Sequence, residues 1–224
     1  QAIDDPAYLG VVQDARVQLE NQTHDLAGLL TNTYTASRVV PTMMGANGPR
    51  SYFLAFQTNA EARGTGGLLG GFGILRAEDG TARVDTLGSN SELDFAEQPI
   101  DLGPEYDALW APRNTTTDFR NSNASPHFPY AGQIWTSMWA EQTGEQLDGA
   151  VATDPIALSY ILGATGPVTL ADGEQITADN VVDITLSTAY SRFGDDQLAR
   201  KAYLQEIAAA VVQKMTTGAA PTRP

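Results

Sequence analysis

The sequence predicts an α/β fold, with a mixed central sheet sandwiched by helices and a long N-terminal helix. Three observations carry that expectation. Short β-rich runs alternate with segments of helical periodicity, the pattern of parallel strands joined by crossover helices. One tight turn, Glu78-Asp79-Gly80-Thr81, joins two such runs as a hairpin and so adds an antiparallel pair. The chain of 224 residues has no linker-like stretch in its middle, which favours one large domain over two small ones.

From Pro6 to Arg38, apolar residues recur at helical spacing (Leu9, Val12, Ala15, Val17, Leu19, Leu26, Leu29, Leu30) and stop at Pro41 and Gly45, giving one long helix or two shorter ones. A strand over Ser51 to Gln57 follows, then the hairpin of strands Gly71 to Arg76 and Ala82 to Leu87. The polar region from Gly88 to Tyr130 holds five prolines, and its length marks it as functional or mobile. Gln133 to Glu141 reads as a helix with Trp135 and Trp139 on one face, placed there for packing. Asp148 to Ala152 is a short strand, and Asp154-Pro155 supplies an N-cap and first-turn proline for a helix to Leu162. A strand over Gly166 to Leu170, a turn, and helices Thr177 to Ser191 and Asp195 to Met215 complete the domain, residues 1–216. The closing TTGAAPTRP makes 217–224 the start of a linker or disordered tail.

The formal charge of −14 argues against nucleic acid or an anionic membrane surface as the main partner, since both require a basic face. No cysteine is present, which removes disulfides, thiolate metal sites and a Cys nucleophile. His24 and His127 alone give little support to a histidine metal cluster or a Ser-His-Asp triad. No apolar run of about 18 residues and no signal peptide is seen, and the opening Gln1 in place of Met suggests a trimmed chain. Few lysines and many Ala, Gly, Thr and Asp fit an exported protein of a high-GC bacterium.

Chemistry concentrates between Arg50 and Asp94. A β-type run leads into Gln57, Asn59, Glu61 and Arg63, and then into Gly64, Gly66, Gly67, Gly70 and Gly71. Such a loop can hold an anion, because glycines let backbone N–H groups approach closely and Arg adds a fork of donors; it is equally a turn with an Arg63–Glu61 ion pair. It lacks the Lys-Ser/Thr of a P-loop. Paired carboxylates for glycoside hydrolysis would come from Glu61, Asp94, Asp118 and Asp154, although Asp154 is accounted for as a helix cap. Asn121 and Asn123 could meet sugar hydroxyls or simply close turns. No D-x-D-x-D-G calcium loop is present.

The segments QTNAEARGTGGLLGGFG (Gln57 to Gly73), LDGAVATDPIALSYILGATGPVTL (Leu147 to Leu170) and ADNVVDITLSTAYSRF (Ala178 to Phe193) resemble the family catalogued as domain of unknown function 4012. That family carries N-x-E-x-R-x-x-GG after a strand, here Asn59, Glu61, Arg63, Gly66 and Gly67, and later a D-G-x-x-x-x-D-P segment leading to G-P-V. More remotely, the order of elements is similar to the LytR-CpsA-Psr family, membrane-anchored extracellular phosphotransferases that move a glycan from a polyprenyl-pyrophosphate lipid to the cell wall. That resemblance implies that Arg63, Arg192 and Arg200 hold pyrophosphate, that Asp94 is a metal ligand for Mg²⁺ or a base, and that Asn59 and Glu61 orient the site. Gly66, Gly67 and Asn121 join them as ligand-binding positions. Two departures stand against it: Thr65 where that family has an acid, and Gly88 to Asp94 without its Arg-Asp pair, where Glu92 or Asp94 would be a displaced carboxylate. The resemblance implies an extracytoplasmic envelope protein, anchored to the cytoplasmic membrane outside this chain, whose partner is a lipid-linked glycan or cell-wall polysaccharide. The readings are a phosphotransferase, a non-catalytic binding or scaffold module using the same cleft, and a glycoside hydrolase.

Overall fold

A computed structural model describes residues 7–217. Helix α1 (Ala7–Met43) is one unbroken helix rather than two, and every described side chain from 12 through 43 is exposed. Among the described residues, it meets the rest of the molecule where it ends. Gly45 takes a left-handed φ of 82°, Gly80 N–H donates to Met44 O (2.9 Å), and Tyr52 Oη donates to Met43 O (3.0 Å). A Cβ on Gly45 would lie 2.7 Å from Ala77 O, so the helix docks backbone to backbone on the hairpin.

Strands β1 (Arg50–Thr58), β2 (Leu68–Glu78), β3 (Thr81–Ser89) and β4 (Gly149–Thr153) form a sheet in the order β3-β2-β1-β4. β1 pairs antiparallel with β2 and parallel with β4, so the sheet is mixed, as expected. β2 starts at Leu68, three residues earlier than the sequence suggests, because Leu68, Leu69 and Gly70 are strand rather than loop. A bulge between Phe56 and Gln57 resets the register beside them.

One face of the sheet carries Phe53, Ala55, Phe72 and Ile74 against helix α3 (Phe128–Thr143), whose Ile134, Trp135, Met138 and Trp139 complete a buried core. The polar region holds helix α2 (Pro104–Trp110) and two short 3₁₀ turns, and it buries Tyr106 and Phe119 in that same core. Four short or long helices lie beyond the other face: α4 (Pro155–Thr165), α5 (Val181–Asp183), α6 (Ala189–Phe193) and α7 (Gln197–Thr217). They share a second core with the two-stranded hairpin β5 (Val168–Thr169) and β6 (Gln175–Ile176). The expected helix Thr177 to Ser191 is shorter and interrupted, with a π-helical stretch Ile184–Thr188 where Thr185 bonds back to the carbonyl of Val181. Thr217 closes α7, and residues 218–224 of the expected tail lie outside the described residues.

Candidate functional site

β1 and β4 run parallel and end together, and ligands of α/β sheets bind where parallel strands end. The chain leaves β1 through Thr58 and Asn59; it leaves β4 through Thr153 and Asp154, which starts α4. Asp154 Oδ1 accepts from Ala157 N–H (2.8 Å), the N-cap that the sequence announces, and Oδ2 accepts from Asn59 Nδ2 (3.2 Å). Thr58 Oγ1, Asn59 Oδ1 and Thr153 Oγ1 are buried without a hydrogen-bond partner. Three orphaned oxygens at the ends of two adjacent strands are costly unless a water or ligand donates to them.

Between the sheet and α4, α6 and α7 lies a cleft of ≈ 130 Å³, many times the roughly 10–15 Å³ that holds one water. Phe56, Leu68, Leu87, Leu158 and Leu204 make its wall apolar, while Gly70, Gly71 and Gly88 contribute backbone alone. Gly70 and Gly71 leave that wall without side chains, whereas the bare Cα of Gly88 makes room for the Phe72 ring. Its polar lining is Gln57, Thr58, Glu61, Asn90, Thr153, Asp154, Thr185, Tyr190, Arg200, Lys201 and Gln205. Arg200 stacks its guanidinium over Tyr190, 4.2 Å from the ring centroid, and Lys201 Nζ donates to Asn90 Oδ1 (2.9 Å).

The loop from Asn59 to Gly67 is fixed mainly by its own backbone and one hydroxyl. Thr65 Oγ1 accepts from Gln57 Nε2 (2.7 Å) and Asn123 Nδ2 (2.9 Å), and Asn123 also donates to Gly67 O (2.7 Å). A Cβ on Gly67 would sit 2.1 Å from Thr58 O, and one on Gly64 would sit 2.3 Å from Ala124 O. These two glycines serve backbone contact. Gly66, with φ 128°, faces the Gln57 side chain.

The sequence-selected residues are thus spread over several environments. Glu61 and Arg200 line the cleft, and Asn59 adjoins it through Asp154. Arg63 does not line the cleft; its Nε donates to Arg120 O (3.3 Å) and its Nη1 to Ala62 O (2.9 Å), tying two loops together with no Glu61 ion pair. Arg192 makes a two-pronged pair with Glu174 (2.7 and 2.8 Å), and Tyr203 Oη donates to the same carboxylate (2.8 Å). The Arg192 hydrogen bonds hold the Glu174 carboxyl down at about 2, and burial pushes the Tyr203 hydroxyl up to about 12. Asp94 is exposed, with its N–H on Gln142 Oε1 (3.1 Å), and Glu92 is spent capping a 3₁₀ turn by accepting from Ser89 N–H (2.6 Å). Asn121 closes a turn onto Asp118 O, and Asp118 itself is paired with Arg120 (2.8 Å).

Lys201, Asn90, Thr58 and Thr153 escaped the sequence reading. Only the neighbouring Arg200 could have pointed to Lys201; the others become polar-site residues through the fold alone.

Among the described residues, no three His, Asp or Glu side chains gather as a metal cage. Mg²⁺ bound with substrate phosphates needs only one or two carboxylates. At this cleft Glu61 would be the carboxylate to meet such an ion, because each Asp154 oxygen already accepts a hydrogen bond.

Among the described residues, no helix is long and apolar enough to cross a membrane. No curated protein and no solved structure matches the chain. The model of the family described as "Protein of unknown function (DUF4012)" matches residues 47–190, well over half of the chain and the whole of the cleft's sheet wall, and the chain belongs to that family.

Proposed function

We propose that this domain handles a lipid-linked cell-wall glycan, seating the polyprenyl segment in the cleft and the pyrophosphate at its polar mouth, on the outer side of the cytoplasmic membrane. The supporting observation is the cleft itself: an apolar slot with Arg200, Lys201 and Glu61 on its wall and three unpartnered oxygens beside it. Apolar pockets with a few convergent polar groups suit amphipathic ligands. In a chain of formal charge −14, two adjacent cations on one cleft wall supply the local positive charge that a pyrophosphate requires. Asn59 Oδ1 can only accept, which suits a sugar hydroxyl, while the Thr58 and Thr153 hydroxyls can accept from a sugar or donate to a phosphate oxygen.

Transfer of the glycan to an acceptor, as in LytR-CpsA-Psr proteins, would need an in-line acceptor hydroxyl, a base to take its proton, and charge on the leaving phosphate. Glu61 is the carboxylate on the cleft wall with both oxygens open to that work. A non-catalytic binding or scaffold role of the same cleft is the second reading. It is favoured by Thr65, which stands where those transferases carry an acid and whose hydroxyl is occupied by Gln57 and Asn123.

The test is to add a short-chain polyprenyl pyrophosphate to the protein, with and without Mg²⁺, and follow melting temperature and phosphate release, with the Arg200→Glu/Lys201→Glu double variant as control. Ligand at a hundred times its dissociation constant stabilises the native state by about 2.7 kcal/mol, a readable shift. Stabilisation with release, both lost in the variant, supports a transferase; stabilisation without release supports a binding module. No stabilisation refutes the lipid-pyrophosphate reading, and cleavage of a glycan that lacks pyrophosphate would replace it with a glycosidase.

A further inference from the structure

We propose that α1 is a self-association helix, along which two copies of this chain pack as a coiled coil. The proposal is independent of what the cleft binds.

The seam is written in sevens. Val12, Leu19, Leu26 and Val40 recur on one row, with Thr33 filling the remaining place. Three residues after each come Ala15, Gln22, Leu29, Ala36 and Met43 on the adjacent row. This 3.5-residue spacing is the a/d pattern that winds two helices together in a left-handed supercoil. The seam is also bare: Leu19, Leu26 and Leu29 are 64%, 55% and 62% exposed, although buried leucine is the rule. Residues 12 through 43 extend about 48 Å at 1.5 Å per residue, so a helix pair along them covers an area on the order of the standard interface of about 1,600 Å².

Three features select a second copy over other occupants. The helix carries two arginines against three acids between residues 12 and 43, so like copies do not repel each other along it, even though the whole chain is strongly acidic. It has no lysine there, whereas helices that lie on anionic membranes display a basic polar face. The two polar seam positions are matched in either orientation: in a parallel pair Gln22 meets Gln22 and Thr33 meets Thr33, and in an antiparallel pair centred between residues 27 and 28 Gln22 meets Thr33. The helix also requires a partner for its own stability. Helices draw most of their stability from tertiary packing, and this one carries Gly28 and a run of threonines without any such packing.

The experiment is sedimentation equilibrium of the whole chain, with circular dichroism, for the wild type, Leu19→Lys/Leu26→Lys on the seam, and Val17→Lys on the outer face of the same helix. Dimers are expected for the wild type and Val17→Lys. The seam variant should weaken association by roughly three orders of magnitude and lose helical signal while the melting transition of the globular part persists. A wild type that stays monomeric at tens of micromolar overturns the proposal, and so does a dimer that survives the seam substitutions. A monomer that floats with phosphatidylglycerol vesicles would assign the seam to a lipid surface instead.

Discussion

The two faces of the central sheet are made by the same strands and have opposite fillings. Toward α3, Phe53 lies 5.7 Å from Phe72 and 5.8 Å from both Phe119 and Trp135, ring centroid to ring centroid, and Trp135 Nε1 is satisfied by Ser122 Oγ (2.6 Å). Toward α4 and α7, β2 presents Gly70 and Gly71, so the helices cover space that side chains do not occupy. Close packing is where stability resides, and the unfilled face is where a ligand has room. One strand, LLGGFGILRAE, writes both instructions, because alternate positions serve opposite faces until the bulge resets them.

The largest effect that this contrast predicts is at Trp135. Trp135→Ala removes a fully buried ring and the hydrogen bond that Ser122 Oγ accepts, leaving only the one it donates to Phe119 O, and should cost about 3–5 kcal/mol, read as a shift of the urea midpoint. Leu204→Ala, on the cleft side, removes atoms that already face a void and should cost only about 1 kcal/mol. Equal losses at the two positions would mean that the cleft is closed in solution.

The glycines sharpen the comparison at finer scale. Gly67→Ala drives a methyl to 2.1 Å from Thr58 O, where rigid backbone cannot yield, and should destabilise by about 2–3 kcal/mol and free the loop from Asn59 to Gly67 to faster amide exchange. Gly70→Ala meets nothing nearer than 3.7 Å and should change stability by less than about 0.5 kcal/mol.

Beyond the cleft, the Glu174–Arg192–Tyr203 cluster ties the turn between β5 and β6 to α6 and α7 and supplies a pH signature. Glu174 sits at about 2 in the folded chain against an ordinary 4.5, so it contributes stability above pH 4.5 that is lost as pH falls toward 2. The Tyr203 hydroxyl, raised to about 12, contributes in the other direction: its share is present below pH 10 and lost as pH rises toward 12. Glu174→Gln should flatten the acid limb of a stability–pH profile and cost about 1 kcal/mol at neutral pH, since Arg192 is well exposed and screened.

Local signals made the scaffold legible. The hairpin, the α3 tryptophans and the Asp154 cap each follow from neighbours in sequence, and each is where the pattern puts it. What escaped is what distant chain segments create. The glycine run reads as a loop because glycine interrupts a strand pattern, yet β1 pairs with Leu68, Leu69 and Gly71, and Gly70 is carried between them as the extra residue of a bulge. Arg63 and Arg192 look like anion ligands in a motif, but their partners are a loop carbonyl 57 residues away and a carboxylate 18 residues away. Lys201 was indistinguishable from any solvated helix charge until α7 was laid against β3.

The smallest expected change in stability carries the largest functional consequence. A Cβ at Gly70 makes only ordinary van der Waals contacts, with Phe56 O (3.7 Å) and Thr58 Cγ2 (3.8 Å), and the backbone there needs no glycine conformation, so Gly70→Leu grows a side chain into the cleft that Gly70 lines. Its burial should roughly offset its loss of rotamer freedom, leaving the melting temperature near that of the wild type. Stabilisation by polyprenyl pyrophosphate should then disappear, whereas Arg63→Ala, which loosens a loop clamp outside the cleft, should weaken it only modestly. The opposite pattern, with Gly70→Leu still responsive and Arg63→Ala inert, would move the site from the sheet–helix cleft to the glycine loop itself.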